Sequence, residues 1–587
     1  MTQAPRPEYP RPQFRREDWL NLNGRWTYVF DFGKSGRQRG FQNSDGFADI
    51  ANGGEILVPF CPESMLSGVA HKDFIEMMWY HRQITVPESW AGRRILLHFG
   101  AVDYECEAFI DGVSVGHHWG GTVAFSFDIT PHVTPGVTHD LVLWVRDETR
   151  SGNQPGGKQC PDFRSRGCHY TRTTGIWQTV WMEPVSHHGL KDVSIVPDLD
   201  GRRLVIVPEF NGLRPGLKLR LTLKEAGTVV AQVERVAVDG VPLELLIESP
   251  RPWSPDDPFL YDLILEVLDH DEVLDRVETY AGLRKVHIEG NQIFLNNEPI
   301  YLRLVLDQGF YPDGIWTAPS DQALKRDIEL AMQAGFNGAR LHQKVFEPRF
   351  HYWADRLGYL TWGESSSWGL DLTDPVSARN FLAEWREIVM RDRNHPSIIA
   401  WTPFNETRGG AGHPQHARLH ADAYDLTHAL DPTRPVNDAS GYVHIKTDLW
   451  TVHTYQQDPD LLARELAPAR GASDTPDIMR RFSEYEAPYE GQPYMVDEFG
   501  GIKWIPSEDK IFAEDSWGYG DDPQTLEAFY TRLEALVDVV LSIEHICGYC
   551  YTQLTDIEQE QNGIYNYDRT EKFDMARVAA IFTQNPD

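Results

Sequence analysis

Two stretches of the chain decide its fold: SIIAWTPFNE, residues 397–406, and QPYMVDEFGG, residues 492–501. Each is an apolar run with the composition of a buried β-strand, and each stops at an acid, Glu406 in the first and Glu498 in the second. A core strand rarely ends on a carboxylate, because a buried charge is costly unless it is paired or used. Parallel barrels place their chemistry at the carboxyl ends of their strands, so the two acids predict an active site.

The sequence around these stretches alternates strand-like and helix-like segments from residue 284 to residue 587, which is typical of a parallel α/β fold. The first helix of this region, SDQALKRDIELAMQAG, is predicted to have Ser320 as its N-cap and Gly335 just past its end. The alternation gives eight strands, including a short fifth strand, RPVNDA, at residues 434–439. We therefore predict a (β/α)8 barrel in which Glu406 ends the fourth strand and Glu498 the seventh.

The first 283 residues carry the pattern of two all-β domains. Residues 1–185 contain short alternating runs separated by turn signals, as in a sandwich, and Asp111-Gly112 is predicted to form a hairpin turn. Residues 186–283 have strands spaced like those of a seven-strand immunoglobulin-like sandwich. We therefore predict a multidomain chain, with domains at 1–185, 186–283 and 284–587, and both acids in the last.

The bulk composition excludes several classes of function. A formal charge of −32, from 55 basic and 87 acidic residues, repels phosphate backbones and anionic membranes, so we expect no nucleic-acid or membrane partner. The amino terminus has no apolar signal segment and no run of about 18 apolar residues exists, which predicts a cytoplasmic location. A homo-oligomer is compatible with the sequence, which leaves the oligomeric state open.

The two acids favour cleavage of a glycosidic bond. The tips of strands four and seven face each other across a barrel mouth, so both carboxylates can flank one bond. A separation of about 5–5.5 Å gives retention through a covalent intermediate, and about 6.5–9.5 Å leaves room for water and gives inversion. In the retaining case Glu498 attacks the anomeric carbon and Glu406 protonates the leaving oxygen. For either acid alone, a strand-end cap or an ion-pair partner is an equally ordinary role.

Other predicted strand ends are also polar, which suits a polyhydroxylated substrate such as an oligosaccharide or glycoside. Asn405 is a candidate to bind the sugar 2-OH, and Tyr455 to donate to the nucleophile and keep its pKa low. Loop solvation or a structural hydrogen bond is the plain alternative for each residue. The remaining candidate substrate-binding residues at strand ends are Asp307, Arg340, His342, Glu364, His453 and Gln553.

Metal and cofactor chemistry have weaker support in the sequence. His342 and His453 together with the acids are a conceivable metal set, as in TIM-barrel hydrolases, but no HxH pair lies on one strand. The Cys547–Cys550 pair lacks a second CxxC, so zinc is not predicted. No phosphate-binding loop or serine elbow is present either. We predict no metal and no cofactor.

Several motifs, in order along nearly the whole chain, resemble glycoside hydrolase family 2, the family of β-galactosidases, β-glucuronidases and β-mannosidases. They are RPQFRREDWLNLNGRWTYVFD, FGAVDYECEAFIDGVSVGHHWGG, TRTTGIWQTVWMEP, NHPSIIAWTPFNE, MVDEFGG and YTQLTDIEQEQNGIYNYDR. The resemblance implies an N-terminal jelly-roll sugar-binding domain and a retaining exo-acting mechanism with Glu406 as acid/base and Glu498 as nucleophile. It also implies that the loop carrying Arg166, Tyr170 and Arg172 reaches the barrel mouth, where Arg172 is a candidate substrate-binding residue.

The chain departs from the family pattern at positions that bear on the sugar. We find no Asn-x-Lys pair of the kind that grips the glucuronide carboxylate, and the late loop reads NGIYNYDRTEK instead. Lys344 follows strand two where an anionic substituent could be met. Trp362, Trp368 and Trp504 are candidate sugar platforms by position, with Trp504 counted among the substrate-binding residues.

We therefore expect a retaining exo-β-glycosidase that acts on β-galactosides, with a β-glucuronide or another acidic sugar as the second candidate. Two other classes remain open. A non-catalytic carbohydrate-binding protein on a glycosidase scaffold would bind sugar without releasing product. A metal-dependent hydrolase would lose its activity to a chelator.

Overall fold

The computed structural model describes residues 4–47, 51–467, 478–506 and 515–586. The first part of the chain is an antiparallel β-sandwich. A six-stranded and a four-stranded sheet enclose one apolar core. Asp111 and Gly112 have positive φ angles of 47° and 78° and join two strands of the larger sheet, so the predicted hairpin turn is confirmed. The strands are Leu20–Asn21, Gly24–Phe30, Gly53–Val58, Met77–Thr85, Arg94–Phe99, Val102–Asp103, Glu105–Ile110, Val113–Trp119, Phe125–Asp128, Thr138–Arg146, Gly175–Ile176 and Val180–Val185.

The second part is a smaller sandwich of a three-stranded and a four-stranded antiparallel sheet. Its strands alternate between buried and half-buried residues, as along Arg203–Phe210, because successive side chains of a strand point to opposite faces. Its core is separate from that of the first sandwich. The strands are Leu190–Asp198, Arg203–Phe210, Lys218–Glu225, Thr228–Val236, Leu243–Leu246, Tyr261–Asp269 and Glu272–Ala281, followed by a small connecting sheet of Val286–Glu289, Gln292–Leu295 and Glu298–Pro299.

The third part is the parallel barrel. Seven of its strands form one sheet, and the remaining, fifth strand pairs with the end of the fourth. These strands are buried almost throughout, as expected for a parallel sheet that helices cover. Glu406 directly follows the extension of the fourth strand, and Glu498 lies in the seventh strand. The eight strands are Leu302–Asp307, Gly338–Leu341, Leu360–Glu364, Ile398–Thr402 with its extension Phe404–Asn405, Ala439–Ser440, Trp450–Thr454, Tyr494–Gly500 and Ile546–Thr552.

The fifth strand is shorter and later than predicted. Of the predicted segment 434–439, Val436 makes only an isolated bridge to Trp401, and regular pairing is confined to Ala439–Ser440. Two local features explain the difference. Pro435 has no N–H to donate to a ladder. The Asp438 carboxylate accepts hydrogen bonds from nearby backbone amides, which offers the chain an alternative to strand pairing.

The helices around the barrel begin with ordinary capping signals. Ser320 Oγ accepts a hydrogen bond from Ala323 N at 3.2 Å, and Gly335 has a φ of 98°, so both predicted ends of the first helix are confirmed. Among the described residues, no helix is long and apolar enough to cross a membrane. The helices are Asp321–Gln333, Pro348–Leu357, Pro375–Asp392, Pro414–Leu430, Pro459–Leu466, Leu526–Leu541 and Met575–Phe582.

Candidate active site

The structure brings the two predicted acids together at the mouth of the barrel. A carboxylate oxygen of Glu406 and one of Glu498 lie within 4.8 Å of each other. Glu406 adopts a φ of 51°, a left-handed conformation that is uncommon outside glycine, and its N–H donates to Ser440 O at 3.0 Å. The Glu406 side chain is 19% exposed and that of Glu498 only 6%. The two acids therefore differ in their access to water.

Glu498 is held in its ionised form. Arg340 Nη1 donates to Glu498 Oε1 at 2.8 Å, and the Tyr455 hydroxyl donates to Oε2 at 2.5 Å. Burial alone would raise the pKa of Glu498, but the positive charges on His453 and Arg340 outweigh it and lower the pKa to about 2. The hydrogen bond from Tyr455 is the one expected from the sequence. A carboxylate with these partners is ionised at neutral pH.

Arg340 is the hub that connects the strand ends. Its guanidinium is fully buried and donates to Glu364 Oε2 at 2.6 Å and to Asn405 Oδ1 at 2.6 Å, in addition to Glu498. Asn405 thereby has its oxygen engaged, while its buried Nδ2 has no hydrogen-bond partner among the described residues. An unsatisfied buried donor beside the acids is a group that a substrate hydroxyl can pair with.

His453 links the two acids. Its Nδ1 lies 2.8 Å from Glu406 Oε1, and its Nε2 lies 2.9 Å from Ser440 Oγ and 3.4 Å from Glu498 Oε1. Burial would lower the pKa of His453, but the charges on Glu498 and Asp497 outweigh it and raise the pKa to about 10. The imidazole is therefore a cation that sits between carboxylates at neutral pH.

The pKa shifts of His453 and Glu498 predict how stability depends on pH. A histidine with a raised pKa stabilises the fold below its ordinary value of 6.5, and this contribution is lost as the pH rises towards 10. Glu498, with a lowered pKa, stabilises the fold above 4.5 and loses its contribution as the pH falls towards 2. We therefore expect the melting temperature to fall as the pH rises from 6.5 towards 10 and as it falls from 4.5 towards 2. In His453→Gln the gap to wild type should be widest near pH 6 and should close towards pH 10, whereas a constant gap would contradict the assignment.

The same three side chains are the group that could most readily hold a metal. Among the described residues, Glu406, His453 and Glu498 place one ligand atom each within 4.8 Å of the others. A metal ligand must be a neutral imidazole, however, and both nitrogens of His453 already contact protein oxygens. The arrangement is better explained as an ion-pair cluster in which a protonated histidine separates two acids.

A loop of the first domain completes the site. The Tyr170 hydroxyl donates to Glu560 Oε2 at 2.5 Å, and Thr171 N donates to Glu558 Oε2 at 3.2 Å, both in the loop after the last barrel strand. Gln559 Nε2 donates to Gly167 O at 2.7 Å. The first domain is thereby attached to the mouth of the barrel on the side of this late loop.

Arg172 and Arg166, from the same loop, do not join the site. The Arg172 guanidinium stacks on Phe74 at 4.0 Å and donates to the backbone carbonyls of Cys160 and Lys72. These contacts all lie within the first domain. Arg166 is exposed and pairs with Asp162. The expectation that Arg172 binds substrate is therefore at odds with the structure, because its guanidinium donates to three backbone carbonyls of the first domain rather than lying beside the two acids.

The other predicted residues fall into two groups. His342, Glu364, Asn405 and Tyr455 join the network around Arg340 and the two acids. Asp307 is buried with its carboxylate towards Gly309 N rather than the acids, and Gln553 pairs with Gln308 and Asn562. Of the tryptophans, Trp362 is buried in the core, Trp504 packs on Phe529, and Trp368 lies at the mouth with its indole N–H donating to Asn405 O at 3.1 Å.

Three residues at the mouth are not indicated by the sequence analysis. Lys158 from the first domain lies 5.2 Å from the ring centre of Trp368. Glu560 in the late loop accepts from Tyr170 and interacts electrostatically with Lys158, and Asp497 pairs with His453. The only local signal for Lys158 is its place in PGGK, a glycine-rich loop that allows close backbone approach.

Comparison with known proteins identifies the family. The description "Glycosyl hydrolases family 2, sugar binding domain" matches residues 69–152, "Glycosyl hydrolases family 2" matches 212–284, and "Glycosyl hydrolases family 2, TIM barrel domain" matches 286–491. Together they span more than half of the chain, in the order of its three parts. The chain therefore belongs to glycoside hydrolase family 2, which confirms the resemblance in its motifs and the predicted fold class.

Individual relatives are distant and differ in name. A β-galactosidase of Thermoanaerobacter pseudethanolicus is 25% identical over 65% of this chain, which spans 51% of that relative. A β-glucuronidase of Paenibacillus borealis is 25% identical over 73% of this chain and 74% of its own. A β-glucuronidase from Ruminococcus gnavus, solved with D-glucuronic acid, shares the fold with a TM-score of 0.79 over 97% of this chain and 99% of its own, at 22% identity.

Proposed function

We propose that this protein is a retaining exo-β-glycosidase that acts by double displacement. The observation that carries the proposal is the pair of carboxylates within 4.8 Å of each other, with Glu498 held ionised. This separation favours direct attack by a carboxylate over attack by an intervening water. It therefore supports retention of configuration.

In this mechanism, a carboxylate oxygen of Glu498 forms a bond to the anomeric carbon while the bond to the leaving oxygen breaks and Glu406 gives that oxygen its proton. Glu406 then takes a proton from water, whose oxygen displaces Glu498 from the anomeric carbon. The exposures of the two side chains suit these roles, since Glu406 must meet water and leaving group and Glu498 must not. Arg340 and Tyr455 hold the nucleophile in place.

The exo-acting part of the proposal rests on the first-domain loop. Tyr170 and Thr171 attach this loop to the late barrel loop, so one side of the mouth is walled. A walled mouth accepts the end of a chain more readily than its middle. This supports removal of a terminal sugar from an oligosaccharide or glycoside.

The charges at the mouth favour a neutral sugar, with a β-galactoside as the first candidate. Acidic groups outnumber cationic ones even with Glu406 protonated, which disfavours a sugar carboxylate. Lys344 is unavailable to an anionic substituent, because its ammonium donates to Gly309 O and Trp316 O. The acidic groups are Glu364, Asp497, Glu498 and Glu560, and the cationic ones are Lys158, Arg340 and His453. A β-glucuronide is the second candidate, supported by the name of the Paenibacillus borealis relative.

The test is a set of initial rates on aryl β-galactoside, β-glucoside, β-mannoside, β-glucuronide, β-galacturonide and α-L-arabinopyranoside. We expect one neutral sugar to exceed both uronides by at least tenfold in kcat/KM, and product analysis to show retention. A uronide as the best substrate would replace the first candidate by the second. Sugar binding without turnover on any glycoside would favour the carbohydrate-binding class.

A further inference from the structure

Lys158 is a mostly buried cation whose ammonium lies against an aromatic ring. Its residue is 6% exposed, and its ammonium makes no hydrogen bond or ion pair with any residue in the described part of the chain. The ammonium lies 5.2 Å from the ring centre of Trp368, and Trp368 in turn donates to the carbonyl of Asn405, the residue before Glu406. The N–H donors of this ammonium can therefore pair with a ligand at the mouth.

The backbone before Lys158 is fastened to the barrel. Gly156 N donates to Trp368 O at 2.7 Å, and Gly157 N donates to Ser366 O at 3.0 Å. Gly157 has a φ of 57°, and a Cβ there would lie 2.3 Å from Gln343 O, so a side chain at this position would push the loop away. The glycines thus set how far the ammonium reaches into the mouth.

The surroundings of the ammonium are acidic. Burial alone would lower the pKa of Lys158, yet the pKa is raised by electrostatic interactions with the Cys168 side chain, with Glu560 and with the two acids of the proposed mechanism. Lys158 in turn contributes to the lowered pKa of Glu498. Glu560 is fixed by Tyr170, which donates to Oε2, and by Asn562, which donates to Oε1 at 3.1 Å. Its carboxylate can accept further hydrogen bonds, because an ionised carboxylate has about four acceptor sites.

We propose that Lys158 and Glu560 are a donor–acceptor pair that binds neighbouring hydroxyl groups of the terminal sugar, which makes Lys158 a specificity-determining residue supplied by the first domain. This inference rests on the proposed function. It adds the residues that bind the sugar hydroxyl groups remote from the anomeric carbon. An ammonium with three donors and a carboxylate with spare acceptor sites, beside an aromatic face, match the alternating donors, acceptors and apolar faces of a pyranose.

Hydroxyl groups suit this pair better than a sugar carboxylate. A carboxylate near Lys158 would also approach Glu560 and Glu498, whose charges already act on that ammonium. A hydroxyl can accept from Lys158 and donate to Glu560 without adding charge. We therefore assign the pair to a neutral sugar.

The experiment compares Lys158→Met with wild type on the best neutral aryl glycoside and on its 3-, 4- and 6-deoxy analogues. Methionine keeps the length of the side chain and removes the charge. We expect kcat/KM on the parent glycoside to fall about 10- to 100-fold, the size of a hydrogen bond to a charged group. On the analogue that lacks the contacted hydroxyl, variant and wild type should agree within about threefold. Glu560→Gln should show the same pattern with a neighbouring hydroxyl.

Two controls separate this role from a structural one. Lys285→Met removes a lysine that pairs with Asp200 at 2.6 Å far from the site, and its kinetics should match wild type. The far-UV circular dichroism spectrum of Lys158→Met should match that of wild type, although its melting temperature should fall because the acidic groups that raise the pKa of Lys158 lose their cation. Equal loss on the parent and every analogue would overturn the proposal, whether or not the spectrum changes.

Calorimetric binding of the free sugar and its deoxy analogues repeats the comparison without turnover. Loss of affinity in Lys158→Met that depends on one hydroxyl supports the pair even if no glycoside is hydrolysed, in which case the proposed function alone fails. Equal affinities of wild type and variant for every sugar would overturn the inference. So would a wild-type preference for a uronide that Lys158→Met abolishes.

Discussion

Replacing Glu498 by glutamine should lower kcat by at least ~10⁴-fold, because an amide oxygen cannot form the glycosyl intermediate. Glutamine keeps the shape of the side chain, and its carbonyl oxygen can still accept from Arg340, which donates to Glu498 at 2.8 Å in the wild type. The far-UV circular dichroism spectrum should therefore be unchanged. The measurement is a single-turnover rate on an activated aryl glycoside.

A matched control for this substitution is Glu527→Gln. Glu527 lies on a barrel helix and pairs with Arg577 at 2.6 Å on the surface. The activity of Glu527→Gln should equal that of wild type. Residual turnover above about 1% in Glu498→Gln, measured on protein free of wild type, would show that this carboxylate is not the nucleophile.

Replacing Glu406 by alanine should make the rate depend on the leaving group. On alkyl glycosides, whose leaving oxygen needs a proton, we expect kcat/KM to fall by ~10²- to 10⁴-fold. On dinitrophenyl glycosides, whose leaving group departs as an anion, the loss in kcat/KM should be small. The kcat on the activated substrate should still fall, because Glu406 also takes the proton from water in the second step.

The comparison across leaving groups makes this test specific. A structural role for Glu406 would reduce kcat/KM on all substrates alike, since a distorted site does not sense the leaving group. The plot of log kcat/KM against leaving-group pKa should be steeper in Glu406→Ala than in wild type. Equal slopes would contradict the acid role.

Much of the fold follows from local sequence patterns. Eight strand-like runs separated by helical ones predict the barrel, because each strand is an apolar run of its own and each helix carries its own caps, as Ser320 shows. The acids stand out since each ends such a run. The extent of the fifth strand is limited instead by the Asp438 side chain, which accepts hydrogen bonds from backbone amides in place of strand pairing. Strand periodicity does not reveal such a competing contact.

The residues proposed to contact the sugar were harder to predict than the acids. Lys158 and Arg172 belong to one first-domain segment and look alike in sequence, but one reaches the barrel mouth and the other stacks on Phe74. The difference between them lies in tertiary contacts. The Gly156–Gly157 backbone donates hydrogen bonds to the barrel, while the Arg172 guanidinium donates to three carbonyls of the first domain. No local pattern encodes where a loop lands on another domain.

The docked first-domain loop means that the pocket is built from two parts of the gene that can change independently. Arg340 and Glu498 lie on barrel strands and Glu406 directly follows one, where substitutions disturb the core. Lys158 lies on a loop of the first-domain sandwich, which carries neither acid. Under the roles proposed for these residues, changes in this loop would alter which sugar is accepted without changing the reaction chemistry. A barrel expressed by itself would then keep both acids but lose part of its sugar selectivity.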